Sequence, residues 1–401
     1  MTVTEHTPHL NAPATRGSCP FAPPPAYEQA REESPITRVT LWDGSQCWLI
    51  TRYEDVRAVL GDARISSDAT RPGFPFLSAG RKKVAALSGP GSFIRMDDPA
   101  HARLRRMLTA DFMVKRIEAM RPEIQRITDD LLDRMTEGRS SADLVSEFAL
   151  PLPSLVICRL LGVPYEDHAY FQARSQVLLD ERSAPEEMSE AMDDLGEYLS
   201  RLAKEKEREP DDGIIGRLMA RGELSAADAA SMGRLLLIAG HETTANMTAL
   251  SVLSLLREPD QLARLREDPS LIKGAVEELL RYLSIVHTGL PRAVTEDITV
   301  GGRTIRAGEG VLCVINVANR DEDVFPAGAD LDVERDARRH VAFGFGVHQC
   351  LGQPLARVEL QVALETVIRR LPELRLTVPF EDIRFRDDML VYGVHALPVA
   401  W

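Results

Sequence analysis

Phe343-Gly344-Phe345-Gly346-Val347-His348-Gln349-Cys350-Leu351-Gly352 places three glycines, a histidine and a cysteine within ten residues. Three glycines at ordinary usage coincide about three times in 10,000, and adding Phe343, His348 and Cys350 lowers the chance to the order of one in 10⁸ per start position. The chain has five cysteines, at 19, 47, 158, 313 and 350, widely scattered and without a CxxC pair. That usage fits neither a disulfide framework nor a zinc site, and the ordinary reading of each is a small buried hydrophobe. Only the neighbours of Cys350 challenge it. Glycines admit backbone conformations closed to other residues and permit close approach, leaving amide N–H groups free to point at the sulfur. The following PLARVELQVALETVIRRL reads as a helix beginning just after the cysteine, whose N-terminal dipole favours an anionic sulfur.

Outward from that loop, the 401 residues read as one large helix-dominated unit. Apolar residues make up 44% and charged residues 27%, ordinary for a globular protein. The formal charge of −13 argues against non-specific nucleic-acid binding, which draws on basic surface. No apolar run approaches the ~18 residues that cross a bilayer. The first 25 residues, with Glu5, Arg16 and many prolines, do not look like a secretory signal, so a cytoplasmic protein with no membrane partner is expected. Residues 1–25 are expected to form an extended proline-rich arm and residues 26–401 a single domain. TRVTLWDG and CWLITRY suggest a hairpin around Asp43-Gly44. Residues 100 to 285 follow a helical pattern punctuated by prolines, and short strands return in ITVGGRTI, GVLCVIN and the C-terminal VYGVHALPVAW.

The longest helix is expected to start at Ser225, with Asp228 completing a capping-box-like start, and to run to Glu258 before Pro259. Its roughly 33 residues would span about 50 Å. Its middle, LLLIAGHETTANM, is apolar on nearly every side until Gly240, then strongly polar. Two readings are open: a kinked helix whose threonines bond back to the preceding turn, or a helix opened locally to hold a ligand and deliver protons.

The pattern Phe343-Gly344-x-Gly346-x-His348-x-Cys350-x-Gly352 resembles the haem-binding signature of the cytochrome P-450 superfamily, with every defining position filled. The resemblance extends from about Cys19 to the C-terminus. It implies the mainly α cytochrome P-450 fold, with small peripheral sheets and a long central helix crossing the haem. It further implies haem b as cofactor with Cys350 as its thiolate ligand, dioxygen as co-substrate and no other metal. A thiolate donates electron density to iron and favours O–O cleavage. Phe343 would cover one side of the sulfur, while Gly344 and Gly352 shape the loop.

By the same resemblance, Ala239-Gly240-His241-Glu242-Thr243 looks like the oxygen-binding groove, where Glu242 relays protons and Thr243 hydrogen-bonds dioxygen. Thr244 is read as structural and His241 as a helix-surface or salt-bridging residue. Glu278 and Arg281 match the ExxR motif, with Arg335 as third member of a network holding the cysteine loop. His101, Arg105, Arg292 and His348 match the partners of the haem propionates. Arg103 and Arg106 lie elsewhere on the helix of His101, either as a solvated face or as a docking patch for an acidic electron donor.

Substrate would sit among variable segments. RPGFPFLSAGRKKVAALSGPGSF looks like a loop over a pocket, with Phe74, Phe76 and Leu87 as its inward groups. Val177, Leu178 and Leu179 belong to a second lid region, and Leu235 shares a face of the long helix with Ala239 and Thr243. Ile285, Val286 and Thr288 follow the ExxR helix, and Leu390 and Val391 form a last turn. This wall is nearly all apolar, so a fairly large hydrophobic substrate is expected: a polyketide, macrolide, sterol-like compound, statin-type lactone or xenobiotic. The expected activity is monooxygenation by a monomer that takes electrons from a separate ferredoxin and its NAD(P)H-dependent reductase. Peroxide-driven oxidation is a second possibility, against which Glu242 and Thr243 speak; a haem gas sensor or electron carrier is a third.

Overall fold

A computed structural model describes residues 10–87 and 92–401. The helix at its centre covers Ala226–Arg257, 32 residues or about 48 Å. The Ser225 hydroxyl accepts the Asp228 amide at its start, and Pro259 opens the next helix at its end. Helices Pro151–Leu161, Pro185–Arg208 and Gln353–Arg370 pack around it. Prolines 151, 185 and 259 each stand in the first turn of a helix, where the missing N–H costs nothing.

The local opening considered for the middle of the long helix is absent. The hydroxyl of Thr243 donates to Ala239 O at 2.6 Å and that of Thr248 to Thr244 O at 2.8 Å, while His241 Nδ1 lies 2.6 Å from Leu237 O. These three side chains bond back to the preceding turn, and the backbone stays helical. Gly240 has a packing cause instead: a Cβ there would stand 2.7 Å from Ile157 Cγ1 and Cδ1 on the crossing helix.

The sheets are peripheral. A six-stranded sheet runs in the order Leu10–Asn11, Ile36–Thr40, Gln46–Ile50, Gly310–Cys313, Leu290–Val294, Ile65–Ser66. Ile36–Thr40 and Gln46–Ile50 form the expected antiparallel hairpin, turning at Gly44 with φ of 81°. Ser141–Asp143, Pro398–Ala400 and Arg375–Leu376 make a three-stranded sheet, and Ile298–Val300 pairs with Arg303–Ile305. Among the described residues no helix begins before Pro25; Leu10–Asn11 pairs with the hairpin, Ala12 and Phe21 are buried, and the Arg16 guanidinium lies 3.7 Å from the Tyr392 ring centroid. One apolar core surrounds the long helix, and a second joins the larger sheet to the helix Tyr53–Gly61.

Candidate active site

The cysteine loop is closed by the Cys350 amide, which donates to Phe343 O at 2.9 Å. Gly344 and Gly346 have φ of 71° and 75°, conformations that other residues resist, and a Cβ on Gly346 would collide with the Leu60 carbonyl oxygen. Gly352 differs: its φ is −79°, and the nearest atom to a Cβ there is Cys350 Sγ at 3.9 Å. Its missing side chain leaves open space beside the sulfur.

Burial raises the Cys350 thiol, while the amides of Gly352 and Gln353 and the charges of Arg105 and Arg357 favour the thiolate. Protein surrounds this sulfur, yet the residue is exposed. The two observations agree if the exposure is onto an internal cavity rather than the outer surface. Ala239, exposed in the middle of the buried long helix, shows the same combination.

Four basic groups converge nearby. The His101 and His348 ring centroids lie 4.1 Å apart, and Arg105 Nη2 donates to Gln349 O at 2.6 Å. Arg292 donates to Pro291 O at 2.7 Å and joins no ion pair among the described residues. His101 Nδ1 meets Asp98 Oδ1 at 3.0 Å, but its Nε2 is buried without a partner. Burial, then the positive charge of His101, Arg292 and Arg105, pushes His348 down to about 3. So much basic character around an orphaned donor calls for an anion from outside the chain. A macrocycle bearing two carboxylates fits these residues, the deep sulfur and the space at Gly352.

A sulfur held by backbone amides, set in a cavity with converging cations inside a helix-rich fold, defines a haem-thiolate protein. Comparison makes the assignment specific: the cytochrome P450 family model matches residues 166–391, and the chain belongs to that family. It is 69% identical to cytochrome P450-SU2 of Streptomyces griseolus and 48% identical to vitamin D3 dihydroxylase of the same organism, over all of both chains in each case. Against the crystal structure of mycinamicin VIII C21 methyl hydroxylase MycCI from Micromonospora griseorubida, bound to mycinamicin VIII, the TM-score is 0.91 at 43% identity, covering 98% of this chain and 100% of that one. The protein is a cytochrome P450 monooxygenase that carries haem b and uses dioxygen.

Glu242 is 1% exposed, and its Oε2 lies 3.1 Å from Arg386 Nη1. Asn246 Nδ2 donates to Glu242 O at 2.7 Å, and His241 Nε2 is 3.9 Å from Glu242 Oε1. Glu242 Oε1, His241 Nε2 and Arg386 Nε are all buried without partners, a polar pocket suited to ordered water. Burial lowers the His241 pKa. Glu242 and Thr243 do not bond each other: one faces Arg386, and the other bonds its own helix. Arg386 had no sequence signal, since only folding brings its distant segment to the long helix.

The ExxR pair and Arg335 meet as a buried network. Arg281 makes two bonds to Glu278, at 2.7 and 2.8 Å, and three to the carbonyls of Asn319, Gly328 and Asp330. Arg335 Nε lies 3.1 Å from Glu278 Oε1. The adjacent Glu277 binds Arg357 at 2.7 Å and His340 at 3.1 Å, and Arg357 sits 4.7 Å from the centre of the Phe343 ring. Sequence reading missed this second cluster, although two consecutive carboxylates marked the spot. Arg103 and Arg106 are exposed and form no ion pair among the described residues.

The pocket candidates divide. Leu179, Met389 and Val391 form a small cluster with Ile238, Ile285 and Leu390 against it, and Leu390 N donates to Leu179 O at 2.8 Å. Leu178 packs in the main core, with Val177 and Leu235 half-buried against it; Val286 rests on the sheet core. Of the three residues of that lid region, Leu179 is the one that joins the small cluster. Phe74 and Phe76 lie 5.1 Å apart, and Thr288 is buried with its hydroxyl unpartnered. The Leu87 side chain lies outside the described residues.

Proposed function

We propose that the protein hydroxylates or epoxidises a fairly large hydrophobic small molecule of the polyketide, macrolide or sterol-like kind, using electrons from a ferredoxin and its reductase. The apolar cluster of Leu179, Met389, Val391, Ile238, Ile285 and Leu390 carries this reading, because it joins residues of separated segments into one greasy wall beside the long helix. Relatives support it: one is named a vitamin D3 dihydroxylase and another is bound to mycinamicin VIII.

When bound, the haem would supply oxygen-activating redox chemistry, and Cys350 is the residue that would hold its iron. Burial raises the pKa of that sulfur while the amides of Gly352 and Gln353 favour its anionic form, and His101, Arg105, Arg292 and His348 would hold the haem carboxylates. Glu242 moves protons inward through the polar pocket it shares with His241 and Arg386. Thr243 places its hydroxyl on the cavity side of the helix, next to exposed Ala239. The Glu278–Arg281–Arg335 network fixes the segment leading into the cysteine loop.

The test is a spectral titration of the haem-loaded protein with macrolides, polyketides and sterols, read as a low-to-high-spin shift. Saturable shifts with members of these classes are expected; shifts only with small polar compounds would defeat the reading. Cys350→Ala should abolish the thiolate signature of the reduced carbon-monoxide spectrum. A wild-type-like spectrum from that variant would remove Cys350 as ligand.

A further inference from the structure

We propose that Arg95 makes the substrate cavity selective for a hydrophobic molecule bearing a carboxylate. The proposal rests on the substrate reading above and narrows it.

Arg95 ends a short turn, Phe93–Arg95, anchored by buried Phe93. Its guanidinium lies deep among protein atoms yet is only half-buried by surface, the same cavity-facing combination as at Cys350. The carbon at its centre is 5.4 Å from the Phe74 ring centroid, and it has no ion pair or hydrogen bond among the described residues. Among the described residues, the carboxylate whose charge reaches it, Glu181, is already engaged, as is Asp97 two residues along the chain. Glu181 accepts from Arg81 Nε and Ser78 Oγ, both at 2.8 Å. Asp97 accepts from Ser66 Oγ at 2.5 Å and the Ser67 amide at 2.9 Å, with Arg71 at 3.8 Å. The other close charges are Arg81 and Arg292, both positive.

A cation surrounded this closely by protein is costly unless an anion joins it. Burial and its cationic neighbours lower the Arg95 guanidinium to about 10, which still leaves it charged at neutral pH. Phe74 and Phe76 supply apolar surface beside it, and the planar fork of arginine matches the two oxygens of a carboxylate. The arrangement suits a molecule with a greasy body and one acidic end. The Arg81–Glu181 pair joins the helix Ala79–Leu87 to the chain just after His168–Leu179, so the site lies where two chain segments meet.

Matched pairs distinguish this from a role toward the haem carboxylates. Lauric acid, cholanic acid and their methyl esters are titrated into haem-loaded wild type, Arg95→Gln and Arg95→Lys, with binding read by spin shift and by equilibrium dialysis, and haem content measured in parallel. Wild type should bind each acid about tenfold more tightly than its ester, Arg95→Gln should bring the ratio to about one, and Arg95→Lys should keep part of it. Haem content should be unchanged in both variants. Equal binding of acid and ester by wild type would overturn the carboxylate assignment and leave the hydrophobic pocket standing. Haem loss in Arg95→Gln with an unaltered acid-to-ester ratio would assign Arg95 to the haem and overturn the proposal. Binding of neither member of any pair would overturn the hydrophobic-substrate reading and this proposal together.

Discussion

Glu242 and Arg386 illustrate what a single buried charge demands. Each is held by the other at 3.1 Å, and each has a further polar atom without a protein partner. Removing one member strands the other charge in a medium that solvates it poorly, which typically costs about 3–5 kcal/mol, whereas removing both costs far less. Arg386→Leu and Glu242→Leu should therefore each destabilise strongly in urea unfolding, and the double variant should recover most of the loss; additive effects would show that the pair is uncoupled. Thr243→Ala removes only a hydroxyl bonded to its own helix, so stability should change by less than about 1 kcal/mol. If Thr243 serves proton delivery as proposed, the variant should release more hydrogen peroxide per NAD(P)H consumed. Wild-type coupling in that variant would refute the assignment of Thr243. The cysteine loop with its glycines was legible in the sequence because its residues are adjacent along the chain. Arg386 and Arg95 were not, because what distinguishes each is a neighbour brought near by folding.

The ends of the long helix were also legible, since Ser225 and Pro259 act within one turn of themselves. Its unbroken middle was not, because the reason for Gly240 is Ile157 on another helix. Propensity alone favours Gly240→Ala by about 1 kcal/mol. The 2.7 Å approach to Ile157 should reverse the sign, to a loss of about 1–3 kcal/mol. Gly196 in Pro185–Arg208 is the control: a Cβ there meets only the far end of the long Arg234 side chain, at 3.1 Å, so Gly196→Ala should stabilise. Thermal unfolding of the two variants reads the contrast, and a shift of the same sign in both would discard the packing account. Glu277 links the helix Ile272–Leu283 to Gln353–Arg370 through Arg357, and to the cysteine segment through His340. Burial would raise its pKa, but the bonds from His340 and Arg357 prevail and bring it to about 2. Because the folded value is depressed, the stabilisation is complete above the ordinary value near 4.5 and is lost as pH falls through about 2. Glu277→Gln should thus be less stable than wild type at pH 7, with the difference shrinking steadily below pH 4.5; a constant difference would contradict the linkage.

At the scale of the molecule, prolines and helical periodicity outlined one helix-rich unit, but not its larger sheet. That sheet pairs Gln46–Ile50 in parallel with Gly310–Cys313, and strands of four or five residues carry no mark of so distant a partner. Charge distribution is another global property. The chain carries −13 overall, yet Arg103 and Arg106 are exposed and uncompensated on the helix that buries His101 and half-buries Arg105 beside the cysteine loop. An acidic ferredoxin approaching a negatively charged protein meets net repulsion, so attraction must be local to be useful. Reversing both residues shifts the charge of this face by −4 while leaving the inward side of the helix untouched. In stopped-flow reduction by ferredoxin, Arg103→Glu/Arg106→Glu should lower the second-order rate about tenfold or more at low salt, and the deficit should narrow as salt screens the interaction. Haem content and substrate-induced spin shift should match wild type, which separates a docking defect from a folding one. Reduction at the wild-type rate would place the electron donor on another surface.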